Sequence, residues 1–117
     1  IAGALFRAAS FRPMFQKHAG KACTGVQVIV ADGQAFRPFE AYVALLAAIL
    51  EIDPAHCGWR TETYEFESDR LAIDLLFGND WLRAGVEKGT PVDRLAERWS
   101  SGLEIFKARR EAYLAYR

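Results

Sequence analysis

In the hydrophobic pattern the β-branched run Val26-Gln27-Val28-Ile29-Val30 stands out, with Val26, Val28 and Val30 on one face of a period-two repeat. β-Branched side chains suit a pleated surface, so this run predicts a strand, ended by the turn signal Ala31-Asp32-Gly33. Upstream, Leu5 to Phe15 mixes aromatic and small residues around Arg12-Pro13. Proline pushes the residue before it towards extended backbone, and the stretch is expected to be an irregular, extended entry segment. From Phe39 to Ile52 the period changes: Tyr42, Val43, Leu45, Leu46, Ile49 and Leu50 leave nearly every face apolar, as in a helix enclosed by other elements. Asp53-Pro54 ends it, because proline disfavours helix in the preceding residue and lacks a backbone donor.

Past this helix, Tyr64 and Phe66 alternate with Glu65 and Glu67, predicting a second, half-buried strand over Trp59 to Phe66. Ser68 or Asp69 is expected to cap a short helix, Arg70 to Phe77, with Gly78 as its stop. Asn79 or Asp80 caps the next, ending near Lys88-Gly89. Thr90-Pro91-Val92-Asp93 opens a long terminal helix with Thr as cap and Pro at the first helical position. Along it Leu95, Trp99, Leu103, Phe106, Tyr113 and Leu114 form a stripe mostly at spacings of three and four. The pattern is α+β: a small antiparallel sheet packed with several helices and a long C-terminal helix.

Length and charge narrow the function classes. A chain of 117 residues suffices for one hydrophobic core. Fifteen basic and fifteen acidic residues leave no net field to gather a polyanion, which argues against nucleic acid. The longest strongly apolar run, Ala41 to Leu50, falls well short of the roughly 20 residues of a membrane-spanning helix. The chain opens Ile1-Ala2-Gly3-Ala4-Leu5 with no initiator Met and no signal-type leader, so the start reads as a cut within a longer protein. Cys23 and Cys57 have dissimilar flanks and are expected to be free, buried thiols.

Candidate chemistry is sparse. There is no phosphate-cradling glycine loop, paired-cysteine motif or nucleophile elbow. His18, Cys23, His56 and Cys57 are the soft ligands, but neighbours such as His56 and Cys57 seldom converge on one ion, so neither metal nor cofactor is expected. Glu65 and Glu67, two apart on a strand, would stand about 6.6 Å apart, within the roughly 5 to 10 Å that glycosidase carboxylates need. Any amphipathic strand with a wet face gives the same spacing. Arg12, Lys17, Lys21 and Arg37 surround the first strand in segments read as loops, where they either hold an anionic ligand or are solvated surface charge. Gln27 faces water or presents its amide to a ligand or neighbouring domain. Trp81 is a candidate for stacking on a sugar, whereas Trp99 lies in the terminal apolar stripe and reads as core.

Several stretches, in order and over nearly the whole chain, resemble one family. They are Phe11-Arg12-Pro13-Met14-Phe15-Gln16-Lys17-His18-Ala19-Gly20-Lys21-Ala22-Cys23-Thr24-Gly25-Val26-Gln27-Val28, then Phe36-Arg37-Pro38, Glu65-Phe66, Ala72-Ile73-Asp74-Leu75-Leu76-Phe77-Gly78 and Arg109-Arg110-Glu111-Ala112-Tyr113-Leu114-Ala115-Tyr116. Together they resemble the C-terminal domain of the bacterial exo-β-N-acetylmuramidase family, formerly a conserved bacterial domain of unknown function. The resemblance implies that residues 1–117 form a single auxiliary domain, and that a larger Rossmann-like N-terminal domain outside this chain carries the catalytic carboxylates. The active cleft would lie between the two, releasing N-acetylmuramic acid from the non-reducing end of peptidoglycan fragments, with this chain inactive alone. It also implies an exported bacterial protein, periplasmic or extracellular, whose partners are muramic-acid saccharides and its own N-terminal domain. The substrate's lactyl carboxylate would give Lys17, Gln27 and Arg37 a binding role. Thr24 departs from the Gly or Asn more usual there, and Ala2 to Leu5 fits only loosely. Two rivals stand beside this reading: a non-catalytic glycan- or protein-binding module, and a complete small glycosidase using Glu65 and Glu67. The second leaves little room for both a core and an enclosing sugar cleft.

Overall fold

A computed structural model describes residues 1–116. In chain order it holds β1 (Ala4–Phe11), β2 (Cys23–Val30), α1 (Pro38–Ile52), α2 (Ala72–Phe77), α3 (Trp81–Glu87) and α4 (Val92–Arg110), then a 3-10 turn at Glu111–Tyr113. The class is α+β, with an antiparallel sheet and a long C-terminal helix as the sequence pattern predicts. The chain forms two units, Ile1–Phe39 and the residues from Glu40 on.

The first unit is an antiparallel hairpin in unbroken register from Ala4 opposite Val30 to Phe11 opposite Cys23. The expectation of an irregular entry segment is therefore corrected over Leu5 to Phe11, which is strand. Leu5, Phe6, Ala8, Ala9 and Phe11 put apolar residues on both faces and so hide a period of two, while β2 supplies the ladder that holds them extended. Irregular backbone starts only at Arg12-Pro13. The open end of the hairpin is tied at Gly3, whose carbonyl accepts from the amides of Ala31 (2.9 Å) and Asp32 (3.1 Å). Gly3 has φ +72°, and a Cβ there would lie 2.5 Å from the Asp32 carbonyl oxygen, so only glycine fits. No residue of Ile1–Phe39 is buried. Two strands with both faces wet are marginal alone.

The second unit holds the core. Val43 of α1, Leu82 and Val86 of α3 and Leu95 of α4 form its centre, with Ala47, Leu50, Trp59, Phe77, Trp81, Val92 and Trp99 packed around them. Helix α1 is less enclosed than its apolar sequence predicts: Ala41 and Val43 are buried, but Tyr42, Ile49 and Ile52 are exposed. The terminal stripe divides likewise. Leu95 is buried and Trp99 meets the core, while Leu103, Phe106, Tyr113 and Leu114 are exposed.

The expected strand at Trp59 to Phe66 does not form. Its Thr and aromatic residues suit a strand locally, yet among the described residues no strand pairs with it, and its one bridge is the local pair Tyr64 and Glu67. Instead Trp59 packs on the core and donates its indole N–H to Glu87 (2.7 Å). The segment ends in a tight turn in which Tyr64 and Glu67 exchange two backbone hydrogen bonds, and Glu65 and Phe66 both take left-handed backbone, at φ 49° and 65°.

Helix starts depart from expectation in two places. Ser68 and Asp69 do not cap α2, which begins at Ala72 after an extended Leu71. Pro91, not Thr90, is the extended residue before α4, so the helix starts one residue later. Asn79 acts as expected, its Oδ1 accepting from the Leu82 amide at 2.9 Å, and Gly78 closes α2 at φ 72°. Arg83 locks α3 to α2 by donating from Nε to Asp74 Oδ1 at 2.8 Å, and its Nη1 reaches Glu87 at 3.2 Å. Among the described residues no helix is long and apolar enough to cross a membrane.

Candidate ligand-binding surface on the hairpin

Dividing the chain into units changes the reading of its charge. Ile1–Phe39 contains Arg7, Arg12, Lys17, Lys21 and Arg37 against a single acid, Asp32, so five positive and one negative side chain give +4 in a chain whose total is zero. Asp32 is also occupied, its Oδ1 accepting from the amides of Gln34 (2.9 Å) and Ala35 (3.2 Å) to shape the loop after β2. The hairpin unit is thus cationic, and its one carboxylate is engaged by its own backbone. A whole-chain count hides this.

All three residues named from sequence for substrate binding lie in this unit. Gln27 sits in the middle of β2, exposed, directly opposite Arg7 of β1. Its Oε1 accepts from Arg7 Nε at 2.7 Å, which leaves the side-chain amide of Gln27 and the terminal guanidinium nitrogens of Arg7 outside this bond. Lys17 lies in the connection between the strands, where Gln16 (φ 60°), His18 (φ 59°) and Gly20 (φ 73°) all take left-handed backbone. That connection is closed at its base: Arg12 Nη1 donates to the Gly20 carbonyl, and the Gly20 amide donates to Pro13 O at 2.8 Å. Arg12 is therefore a loop clamp. Arg37 likewise binds its own loop, donating from Nη1 to the carbonyls of Gln34 (2.7 Å) and Phe36 (3.2 Å). Among the described residues no hydrogen bond or ion pair joins Lys17, Gln27 and Arg37 to one another.

Arg7 and Phe11 were not singled out from sequence, because their segment read as irregular. Recognising Ala4–Phe11 as the partner of Cys23–Val30 would have put Arg7 beside Gln27. Leu5, Arg7, Ala9 and Phe11 share one hairpin face with Ile29, Gln27, Gly25 and Cys23. A Cβ on Gly25 would lie 3.3 Å from Phe11 Cε1, so the ring edge lies over the bare backbone of Gly25.

The other candidates take structural roles. Glu65 and Glu67 do not share a strand face, since Glu65 lies at the corner of the turn that Glu67 closes. The Asp69 amide, then the Arg70 guanidinium, hold the Glu67 carboxyl below its ordinary range, the opposite of what a general acid needs. His56 pairs with Asp53 at 2.8 Å, and among the described residues no three His, Cys, Asp or Glu side chains converge as a metal site. Both thiols are free and half-buried rather than buried. Trp99 packs on the core as expected. Trp81 does too, and Arg98 stands 4.1 Å from its ring centroid, so that face is occupied. A cleft of about 620 Å³ lined by Ala44, Ala47, Leu50, Val86 and Val92 is largely aliphatic; of its carboxylates, Glu87 is bound by Arg83 and Trp59.

Fold and site together define an α+β domain with an exposed cationic hairpin, equipped to hold an anion but without a free carboxylate in that unit for two-carboxylate hydrolysis. The chain belongs to the family described as exo-β-N-acetylmuramidase NamZ, C-terminal, which it matches over residues 1–116. It is 35% identical over 116 residues to the peptidoglycan β-N-acetylmuramidase NamZ of Bacillus subtilis (strain 168), an alignment covering 99% of this chain and 26% of that protein. The chain thus spans about a quarter of the length of that relative. The crystal structure of a DUF1343 family protein from Bacteroides fragilis superposes with a TM-score of 0.75, covering all of this chain and 30% of the other. At 16% identity that likeness establishes the fold alone.

Proposed function

We propose that this chain is the C-terminal, cleft-completing domain of an exo-acting β-N-acetylmuramidase, which releases N-acetylmuramic acid from the non-reducing end of peptidoglycan fragments. A larger, Rossmann-like domain of the same protein supplies the catalytic carboxylates, and this domain forms the opposing wall. The observation that carries the reading is the family match along residues 1–116, joined to a hairpin unit that is cationic and has no disengaged carboxylate. Muramic acid differs from the other peptidoglycan sugar by its lactyl carboxylate. Lys17, Gln27 and the nitrogens of Arg37 not bound to its loop are the contacts assigned to that group, because charge-assisted hydrogen bonds to a carboxylate are about twice as strong as neutral ones. The protein works outside the cytoplasm, where peptidoglycan lies.

The test is release of N-acetylmuramic acid from a muramic-acid-containing disaccharide by the full-length protein and by this chain alone. Turnover by the full-length protein only is expected. Turnover by this chain alone would move catalysis into it, and inactivity of both would favour a binding module.

A further inference from the structure

We propose that Arg7, oriented by Gln27, selects the sugar by its carboxylate, and that the ring of Phe11 is the plate on which that sugar rests. The inference deepens the muramidase reading and rests on it for the identity of the sugar. Three observations carry it.

The first is the pair itself. Arg7 and Gln27 interrupt a hairpin whose neighbouring positions are Leu5, Phe6, Val26, Val28 and Ile29, and they stand opposite each other in register. Arg7 has no carboxylate partner among the described residues; its one hydrogen bond is from Nε to the neutral Gln27 oxygen. A guanidinium fixed through Nε is pre-organised, and its two terminal nitrogens keep the parallel donors that match a carboxylate.

Spacing along that face is the second. Rows on one face of a strand pair repeat at about 6.8 Å, so the row Ala9/Gly25 is a low step between the polar row Arg7/Gln27 and the row of Phe11. The Phe11 ring leans over the glycine and is still 55% exposed. Arg7 lies two rows from Phe11, but the ring leaning over Gly25 carries a pyranose stacked on it to the middle row, one row from Arg7, so that its substituents come within reach of the guanidinium. Aromatic plates beside a few fixed polar groups are how such sites bind polar ligands with apolar faces.

Charge is the third. This unit carries +4 with its one acid engaged, so the occupant of the face is an anion. N-Acetylglucosamine, which lacks the lactyl group, fits the plate but leaves Arg7 without its acid.

The test is calorimetric titration of the full-length protein with N-acetylmuramic acid and with N-acetylglucosamine, on the wild type and on Arg7→Met, Arg7→Lys, Gln27→Leu and Phe11→Leu. The wild type is expected to bind the acid roughly 10- to 100-fold more tightly, the range for a charge-assisted pair. Arg7→Met should remove most of the preference for the acid, leaving only the share carried by Lys17 and Arg37, without changing binding of the neutral sugar. Arg7→Lys, with the charge but not the fork, and Gln27→Leu, with the fork no longer held, should fall between. Phe11→Leu should weaken both sugars alike. An undiminished preference for the acid in Arg7→Met, equal loss of both sugars in that variant, or no preference in the wild type would each overturn the inference. Hydrolysis measured on the same samples separates the two readings: carboxylate selection without turnover sinks the muramidase and leaves Arg7, whereas turnover indifferent to Arg7 does the reverse.

Discussion

Gly85 and Gly102 both lie inside helices, and changing each to alanine should move stability in opposite directions. Relative to alanine, an interior glycine costs a helix about 1 kcal/mol, so either substitution starts with a gain of that order. At Gly102, in α4, nothing lies within 4 Å of the added Cβ, and the gain should survive as roughly 0.5–1 kcal/mol. At Gly85, in α3, the same atom would stand 2.5 Å from Leu95 Cδ2, about 1–1.5 Å inside a normal carbon–carbon contact of about 3.5–4.0 Å. Leu95 cannot swing away freely, being 4% exposed and packed with Val43, Leu82 and Val86. Overpacking of this kind costs about 1–3 kcal/mol, so the net expectation is a loss of roughly 1 kcal/mol and a fall in Tm of about 4–8 °C. Urea titration followed by tryptophan fluorescence reads the right region, since Trp59, Trp81 and Trp99 all border the core of the second unit. In a Leu95→Ala background the penalty should vanish and Gly85→Ala should become stabilising. If Gly85→Ala stabilises the otherwise native protein as Gly102→Ala does, α3 and α4 are not in the close contact described.

Three further outcomes are expected from the same structure. Arg83→Met strands Asp74, which is 8% exposed, and should cost about 2–3 kcal/mol, below the figure for fully buried pairs because Arg83 is 22% exposed; Arg83→Met with Asp74→Leu should recover most of the loss in urea titrations, and no recovery would refute the pairing. Replacing Glu65-Phe66 by Asn-Gly puts the preferred residues into a turn with two left-handed positions and should raise stability by about 1–2 kcal/mol, whereas a loss in the same titration would mean Phe66 packs against something. Glu67 is held below its ordinary value of 4.5, so its contribution is full above that value in the unfolded chain and is lost as pH falls through the lower folded value. Below about pH 4.5 the wild type should therefore lose stability more steeply than Glu67→Gln, and parallel curves would contradict the assignment.

What the sequence made legible follows from how local each signal is. The run Val26 to Val30, the stop at Asp53-Pro54, the Asn79 cap and the left-handed Gly78 depend on a few adjacent residues, and all four appear in the structure. Strand β1 was missed because its identity lies in its partner: apolar residues on both faces erase the alternation, and only pairing with β2 reveals it. Trp59 to Phe66 failed in the opposite sense. Its alternation is real, but a strand needs a neighbour, and the core took Trp59 while Glu65 and Phe66 turned the chain. Gln27 was found as a polar residue in an apolar run, whereas Arg7 became visible only once register set it opposite. The cationic character of the hairpin unit is cancelled in the whole-chain sum by the excess of acids from Glu40 on.

The measurement that bears most directly on the central claim compares the full-length protein with one lacking residues 1–117, each assayed for release of N-acetylmuramic acid from a muramic-acid-containing disaccharide. The truncated protein must first be shown by its melting transition to be folded. If this domain completes the cleft, turnover falls to background on truncation and the remaining fold stays intact. A folded truncation that hydrolyses the disaccharide at the full-length rate would contradict the account.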